Sequence, residues 1–366
     1  MLKDKALPIQ AKGALTAKQL PEMDFQHISN LTDDTGMIQH ALFSIPNRKE
    51  GYCIDDNARA LLLSVWASKD KKNSTAIRLL PVYLSFIHYM QSEDGYFRNF
   101  MSYSKHIEEV RGSEDSFGRT MMALGYLINE GNPHLLVKTG MQIFAKAYSH
   151  VDQLISPRAI ANSIIGICQF IKRNYPDEIK TAMVAGLSEK LMCMYEAHNS
   201  KDWHWFENIL TYDNGILPLA LLNSWEITQD ENCLLIAFEA LEFLESKTFH
   251  KGIFRPIGNL GWCRKGGSPA QFDQQGIDVM AMVLCYQQAY RNTREPKYLD
   301  RMYAAYRWFL GSNDLGVSLY DPSTGGCADG LHAKGINLNQ GAESTLAYWI
   351  SHVIVASELA GLKKSW

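Results

Sequence analysis

Acidic residues stand, singly or in pairs, just ahead of long apolar runs at several places in this chain. Asp55 and Asp56 open DDNARALLLSVWA, Glu114 and Asp115 open EDSFGRTMMALGYLI, Glu207 and Asp213 lie in KDWHWFENILTYDNGILPLALL, Asp273 in FDQQGIDVMAMVLCY and Glu343 in NQGAESTLAYWISHVIVA. A carboxyl in such a place has two uses. It caps the free N–H groups of a helix start, or its surroundings set it to give or take a proton. For any one of these acids capping explains as much as chemistry does, because aspartate is so frequent at N-caps. Asp55-Asp56 and Glu114-Asp115 are pairs, however, and one cap needs one acid. Arg59, Arg119, Trp203, His204, Trp205, Trp262, Arg264, Gln274 and His332 share these stretches or the loops beside them, and His40 lies a little ahead of the first. Aromatic faces stack on the apolar faces of sugar rings and carboxylates bond hydroxyls, so a surface that collects both suits a carbohydrate.

The runs behind these acids are apolar all round, and a helix with no polar face must be surrounded by other helices. Six such inner helices are expected, near Asp56, Asp115, Asn162, Asp213, Asp273 and Glu343, one for every 47 to 70 residues. Between them, residues 74–91, 133–151, 177–199, 231–249 and 296–311 carry charged residues on one side and Leu, Ile, Phe and Tyr on the other at spacings of three and four, the pattern of outer helices. Alternating inner and outer helices predict an all-α ring, an (α/α)6 toroid of six helical hairpins, over residues 27–366. Residues 1–26 read as an N-terminal arm lying across it. The loops from inner to outer helices (KDKKNS, NEGNP, KRNYPDE, TQDE, NTREP) are short and charged, whereas those entering inner helices are long and hold the acids and rings. One face of the ring is therefore expected to be plain and the other a basin. The aromatics of YFRNFMSY add a short strand or hairpin to the rim. Trp203, Trp205 and Trp262, in polar loops, are expected to be partly exposed on the basin face, and Trp66, Trp225, Trp308 and Trp349 to be buried.

Composition narrows the function. A net charge of −3 without any Lys/Arg cluster argues against nucleic acid or an anionic membrane as the main partner. No apolar run reaches the length of a membrane span and no signal-peptide core is present, so a cytoplasmic protein is expected. The 7 cysteines form no C-x-x-C pair and read as small buried hydrophobes. With no H-E-x-x-H, no phosphate-binding loop and no G-x-S-x-G, neither a metal site, a cofactor nor a serine nucleophile is expected.

The segments DDNARAL, EDSFGR, WFEN, FDQQG and NQGAEST, set at inner-helix starts, resemble the six-hairpin, (α/α)6-toroid glycosidase-like superfamily. The resemblance covers residues 30–366. It implies a glycoside hydrolase, or a related phosphorylase or lyase, acting on an oligosaccharide through a carboxylic acid and a carboxylate base. Two carboxyls roughly 5–5.5 Å apart serve retention and roughly 6.5–9.5 Å apart inversion. The candidates are Glu207, Asp56, Asp115, Asp55, Asp273 and Glu343. Glu207 is the expected acid, because Trp203, Trp205 and Phe206 would desolvate it, and Asp56 or Asp115 the expected base. Substrate contacts are expected from His40, Arg59, Arg119, Trp203, His204, Trp205, Trp262, Arg264, Gln274 and His332. Two rivals remain: an epimerase of the N-acylglucosamine 2-epimerase type, working through His204 and His332, and a non-catalytic carbohydrate-binding toroid.

Overall fold

A computed structural model describes residues 20–174 and 176–364, so most of the expected N-terminal arm lies outside the described residues. After a short helix α1 (Gln26–Leu31) come inner helices α2 (Ile54–Ala67), α4 (Glu114–Glu130), α6 (Pro157–Arg173), α8 (Ile216–Thr228), α10 (Gly276–Thr293) and α12 (Ala342–Lys364). They alternate with outer helices α3 (Ser74–Met90), α5 (His134–Tyr148), α7 (Glu178–His198), α9 (Glu231–Thr248) and α11 (Pro296–Tyr306). Each inner helix packs on the next, and α12 packs back on α2, so the ring closes. The six expected inner helices and five outer ones are all present. The outer position between α12 and α2 is taken by α1, which packs against α12.

Burial follows the two sequence patterns. In α2 every residue except Asp55 is buried, and α10 is buried from Gly276 to Ala289. Outer helix α3 buries only Ala76, Leu79, Leu80, Tyr83, Leu84, Phe86, Ile87 and Met90, the stripe of an amphipathic helix. Helices α4 and α6 approach backbone to backbone. A Cβ built on Gly125 would lie 2.2 Å from the Gly166 carbonyl oxygen, and one on Gly166 would lie 2.3 Å from that of Met121. Only glycine fits at either place.

Small antiparallel strand pairs tie the rim together. Tyr52–Cys53, just before α2, pairs with Phe100–Met101, and Ile209–Leu210 pairs with Cys263–Arg264. The strand expected around YFRNFMSY therefore exists, and it joins loops of two successive units. No helix among the described residues is long and apolar enough to cross a membrane.

Candidate active site

The paired acids at the starts of α2 and α4 are not caps. Cys53 stands at the N-cap of α2 without a side-chain bond, which leaves Asp55 and Asp56 in the first turn with their carboxyls free for other partners. At α4 the cap is Ser113, whose hydroxyl accepts the Ser116 N–H. Glu114 instead accepts the backbone N–H groups of Ile155 and Ser156 at 2.9 and 2.6 Å, tying one rim loop to the next. Asp115 accepts hydrogen bonds from the Ser156 hydroxyl at 2.5 Å and from the Tyr212 hydroxyl.

Three buried arginines from consecutive inner helices link these acids into a lattice. Arg59 of α2 reaches Asp56 at 3.1 Å and Glu343 of α12 at 3.0 Å. Arg119 of α4 reaches Asp55 at 2.7 Å and Asp213, ahead of α8, at 3.4 Å. Arg158 of α6 donates to Glu207 at 2.9 Å, to the Tyr212 carbonyl at 2.7 Å and to the Thr211 hydroxyl at 2.6 Å, with its guanidinium 4.6 Å over the Tyr212 ring. A guanidinium cannot lose its proton, so it is buried only where carboxylates or carbonyls receive it.

This lattice drives consecutive carboxyls in opposite directions. Burial pushes Asp55 up, but the charges of Arg119 and Arg59 outweigh it and hold the carboxyl below its usual range. For Asp56 burial prevails over Arg59, and the neighbouring charges of Glu343 and Asp55 add to it, so the group is pushed up to about 7. Near neutral pH one side chain is therefore an ionised carboxylate, while the next still holds its proton about half of the time. Two titratable groups separated in this way are the usual arrangement of an acid and a base. Asp55 lines an open cleft of about 670 Å³, together with Asn99, Phe100, Asp115, Arg119 and Tyr212.

Other expected residues are placed differently. Trp203 and Trp205 are 2% and 0% exposed, packed on Phe243 of outer helix α9 and, for Trp205, on Phe206, so the expected stacking platform is core. The loop folds back over the outer helices, and the Trp203 indole donates to the Glu207 carbonyl at 2.7 Å. These rings therefore do not surround the Glu207 carboxyl, which is met by Arg158 in place of the expected apolar pocket. Trp262 is half-buried, its ring 6.4 Å from that of Tyr212. Of the tryptophans expected to be buried, Trp66, Trp308 and Trp349 are, whereas Trp225 is half-buried and donates to Glu231 at 3.2 Å.

Gln274 is wholly buried, receiving the Trp308 indole at 2.7 Å and donating to Asp314 at 2.6 Å, so it is a packing residue rather than a substrate contact. His204 bonds Asn199 at 2.9 Å with its ring edge-on to Phe243, and is not among the lining residues of the cleft. His332 pairs with Asp273 at 2.6 Å on a separate part of the rim. His40 and Arg264 are exposed. Among the described residues no cluster of three or more His, Cys, Asp or Glu is placed to hold a metal ion. Arg158 and Tyr212, central to the lattice, were not among the expected site residues, and Asp213 was read only as an acid marking the start of the fourth inner helix. The one signal for them was their place in the same loop as Glu207 or at the start of an inner helix.

No protein-family model matches the chain, and no curated protein matches it. Its fold does match solved structures. A cellobiose 2-epimerase from Spirochaeta thermophila superposes with a TM-score of 0.71 at 11% identity, covering 93% of this chain and 94% of that one. A family 76 α-mannanase from Bacteroides thetaiotaomicron gives 0.66 at 11% identity, covering 92% and 95%. An α-1,6-mannanase of Salegentibacter, in an inactive variant with two adjacent aspartates replaced by asparagine and α-1,6-mannotriose bound, gives 0.58 at 12% identity, covering 91% and 96%. The chain has the fold of these toroid enzymes.

Proposed function

We propose that this chain is a carbohydrate-cleaving enzyme, a glycoside hydrolase acting on an oligosaccharide, with Asp56 as general acid and Asp55 as the carboxylate that activates water or meets the anomeric carbon. The observation that carries the reading is the consecutive pair Asp55-Asp56 in the first turn of α2, Asp55 lining the cleft and Asp56 buried beside it, with Arg119 on one carboxyl at 2.7 Å and Arg59, shared with Glu343, on the other. Asp56 gives its proton to the glycosidic oxygen as that bond breaks, and Asp55 takes a proton from water as it adds to the anomeric carbon. Tyr212 and Phe100 supply aromatic surface along the cleft, and Asp115, Asn99 and Ser116 supply polar atoms for hydroxyls. The mannanase whose adjacent aspartates are replaced in its inactive form is consistent with a consecutive pair in this role.

One observation favours a second reading. The His332–Asp273 pair is an imidazole oriented by a carboxylate, the form of a proton-transferring base, and 2-epimerases share the fold. The two readings separate on variants. Asp56→Asn and Asp55→Asn should each abolish release of reducing ends from oligosaccharides while His332→Ala leaves it in place. An epimerase would show the reverse, with sugar interconversion lost in His332→Ala alone.

A further inference from the structure

Asp213 sits where neither packing nor capping requires an acid. It precedes α8 with φ of 53°, a left-handed backbone that side chains other than Asn, Asp and Gly rarely adopt. Its side chain is 3% exposed, and Oδ1 is buried without a hydrogen-bond partner. A second carboxyl, Asp278 in the first turn of α10, lies near it, also with a buried and unpartnered oxygen. Burial first, then the charge of Asp213, push Asp278 well above the usual range, so that neighbour carries a proton.

The local work of the turn is done by others. Gly215 stands at the N-cap of α8, which has no side-chain cap, and Asn214 closes the turn by accepting the Thr211 N–H at 3.1 Å and donating to the Thr211 carbonyl at 2.7 Å. What Asp213 does reach is Arg119 at 3.4 Å, and the other arm of that guanidinium is on Asp55 at 2.7 Å. A buried carboxyl with one oxygen on an arginine and the other unpartnered, pushed up by its burial against the opposing charges of Arg119, Arg59 and Arg158, is found where the surrounding structure holds it for function.

We infer that Asp213 is a positioning residue, which anchors the far arm of Arg119 so that the near arm fixes Asp55 toward the cleft. Asp55, Arg119 and Asp213 come from the first, second and fourth units of the ring, so this one guanidinium ties three units together beside the cleft. An arginine held by a single carboxylate swings about that contact, whereas one held at both ends keeps its planar fork in register. The inference rests on the reading in which Asp55 acts on the substrate.

Asp213→Asn tests it, because asparagine keeps the volume and accepts the left-handed backbone while removing the charge. Two readouts are needed. Phenylglyoxal labelling of Arg119, followed by peptide mass mapping with Arg59 as internal reference, should be several-fold faster in Asp213→Asn than in the wild type, at an unchanged melting temperature. On a panel of neutral oligosaccharides that includes cellobiose and α-1,6-mannotriose, kcat should fall at least tenfold with KM within twofold. In an Arg119→Met background the same change should have no further effect on kcat. Unchanged labelling, unchanged kcat, or a loss of kcat that only follows a lower melting temperature would each overturn the inference. Full turnover in Asp55→Asn would instead sink the reading beneath it, while a dead Asp55→Asn beside a fully active Asp213→Asn sinks the inference alone.

Discussion

The rim before α2, α4 and α8 and the rim before α10 and α12 draw on the same residue types and use them differently. In the first sector the charged contacts run between units, from Arg119 to Asp55 and Asp213 and from Arg59 across to Glu343. Carboxyl oxygens there border a cleft, and one buried oxygen of Asp213 has no partner. In the second sector the polar groups hold down long loops. Arg255 grips Asp314 through Nε at 2.8 Å, Gln274 bridges Asp314 and Trp308, and Asp329 takes the Gly341 N–H at 2.8 Å and the Ser344 hydroxyl at 2.5 Å at the start of α12. A carboxylate whose oxygens are taken up by nearby N–H and O–H donors is a staple. One that keeps an oxygen without a partner beside a cleft, as Asp55 does, is a candidate for chemistry.

The largest expected effect separates the two sectors by what is lost. Asp56→Asn should cut turnover by about 10²–10⁴-fold, the range of a general acid, with no loss of melting temperature, since a neutral amide replaces a buried carboxyl. Asp329→Ala should do the opposite. It strands the Gly341 N–H and the Ser344 hydroxyl at a helix start, so denaturant unfolding should show a loss of about 1–3 kcal/mol at unchanged kcat.

The next effect is on pH. The Asp56 carboxyl is raised in the folded state from the usual carboxylate range to about 7. Its contribution to stability is therefore complete below the unfolded value and is lost as pH rises through about 7, and the wild type should lose stability across that window relative to Asp56→Asn. Asp55, held low by Arg119, contributes in the opposite sense, with stability present above the unfolded value and lost as pH falls through the folded one. The smallest effect belongs to Tyr212→Phe, which keeps the ring and removes only its bond to Asp115. A few-fold fall in kcat/KM is expected, about 0.5–1.5 kcal/mol for one hydrogen bond.

Periodicity made the ring legible. A helix such as α10, apolar on every side, has one possible environment, and amphipathic segments such as α3 supply it. The paired acids were legible for a similar local reason, because two neighbours cannot both serve one cap. Contacts between loops were not legible. Nothing in KDWHWFEN says that Trp203 and Trp205 turn inward onto Phe243, or that Arg158, 49 residues before Glu207, takes its carboxylate. Likewise Asp213 meets Arg119 from 94 residues away, with no spacing that announces it. Gln274 reads as a basin residue in FDQQG, and only the fold brings Trp308 and Asp314 to it.

The central claim is that the consecutive aspartates in the first turn of α2, one held ionised and one raised to about 7, cleave a glycosidic bond. It is tested most directly by reducing-end release from a panel of neutral oligosaccharides, measured for the wild type and for Asp56→Asn from pH 4 to 9. The wild type should release reducing ends at a rate that falls as pH rises through about 7, the value to which Asp56 is pushed, and Asp56→Asn should release them about 10²–10⁴-fold more slowly, without that fall. Equal release by both proteins, or a wild-type rate that climbs steadily through that pH, would contradict the account.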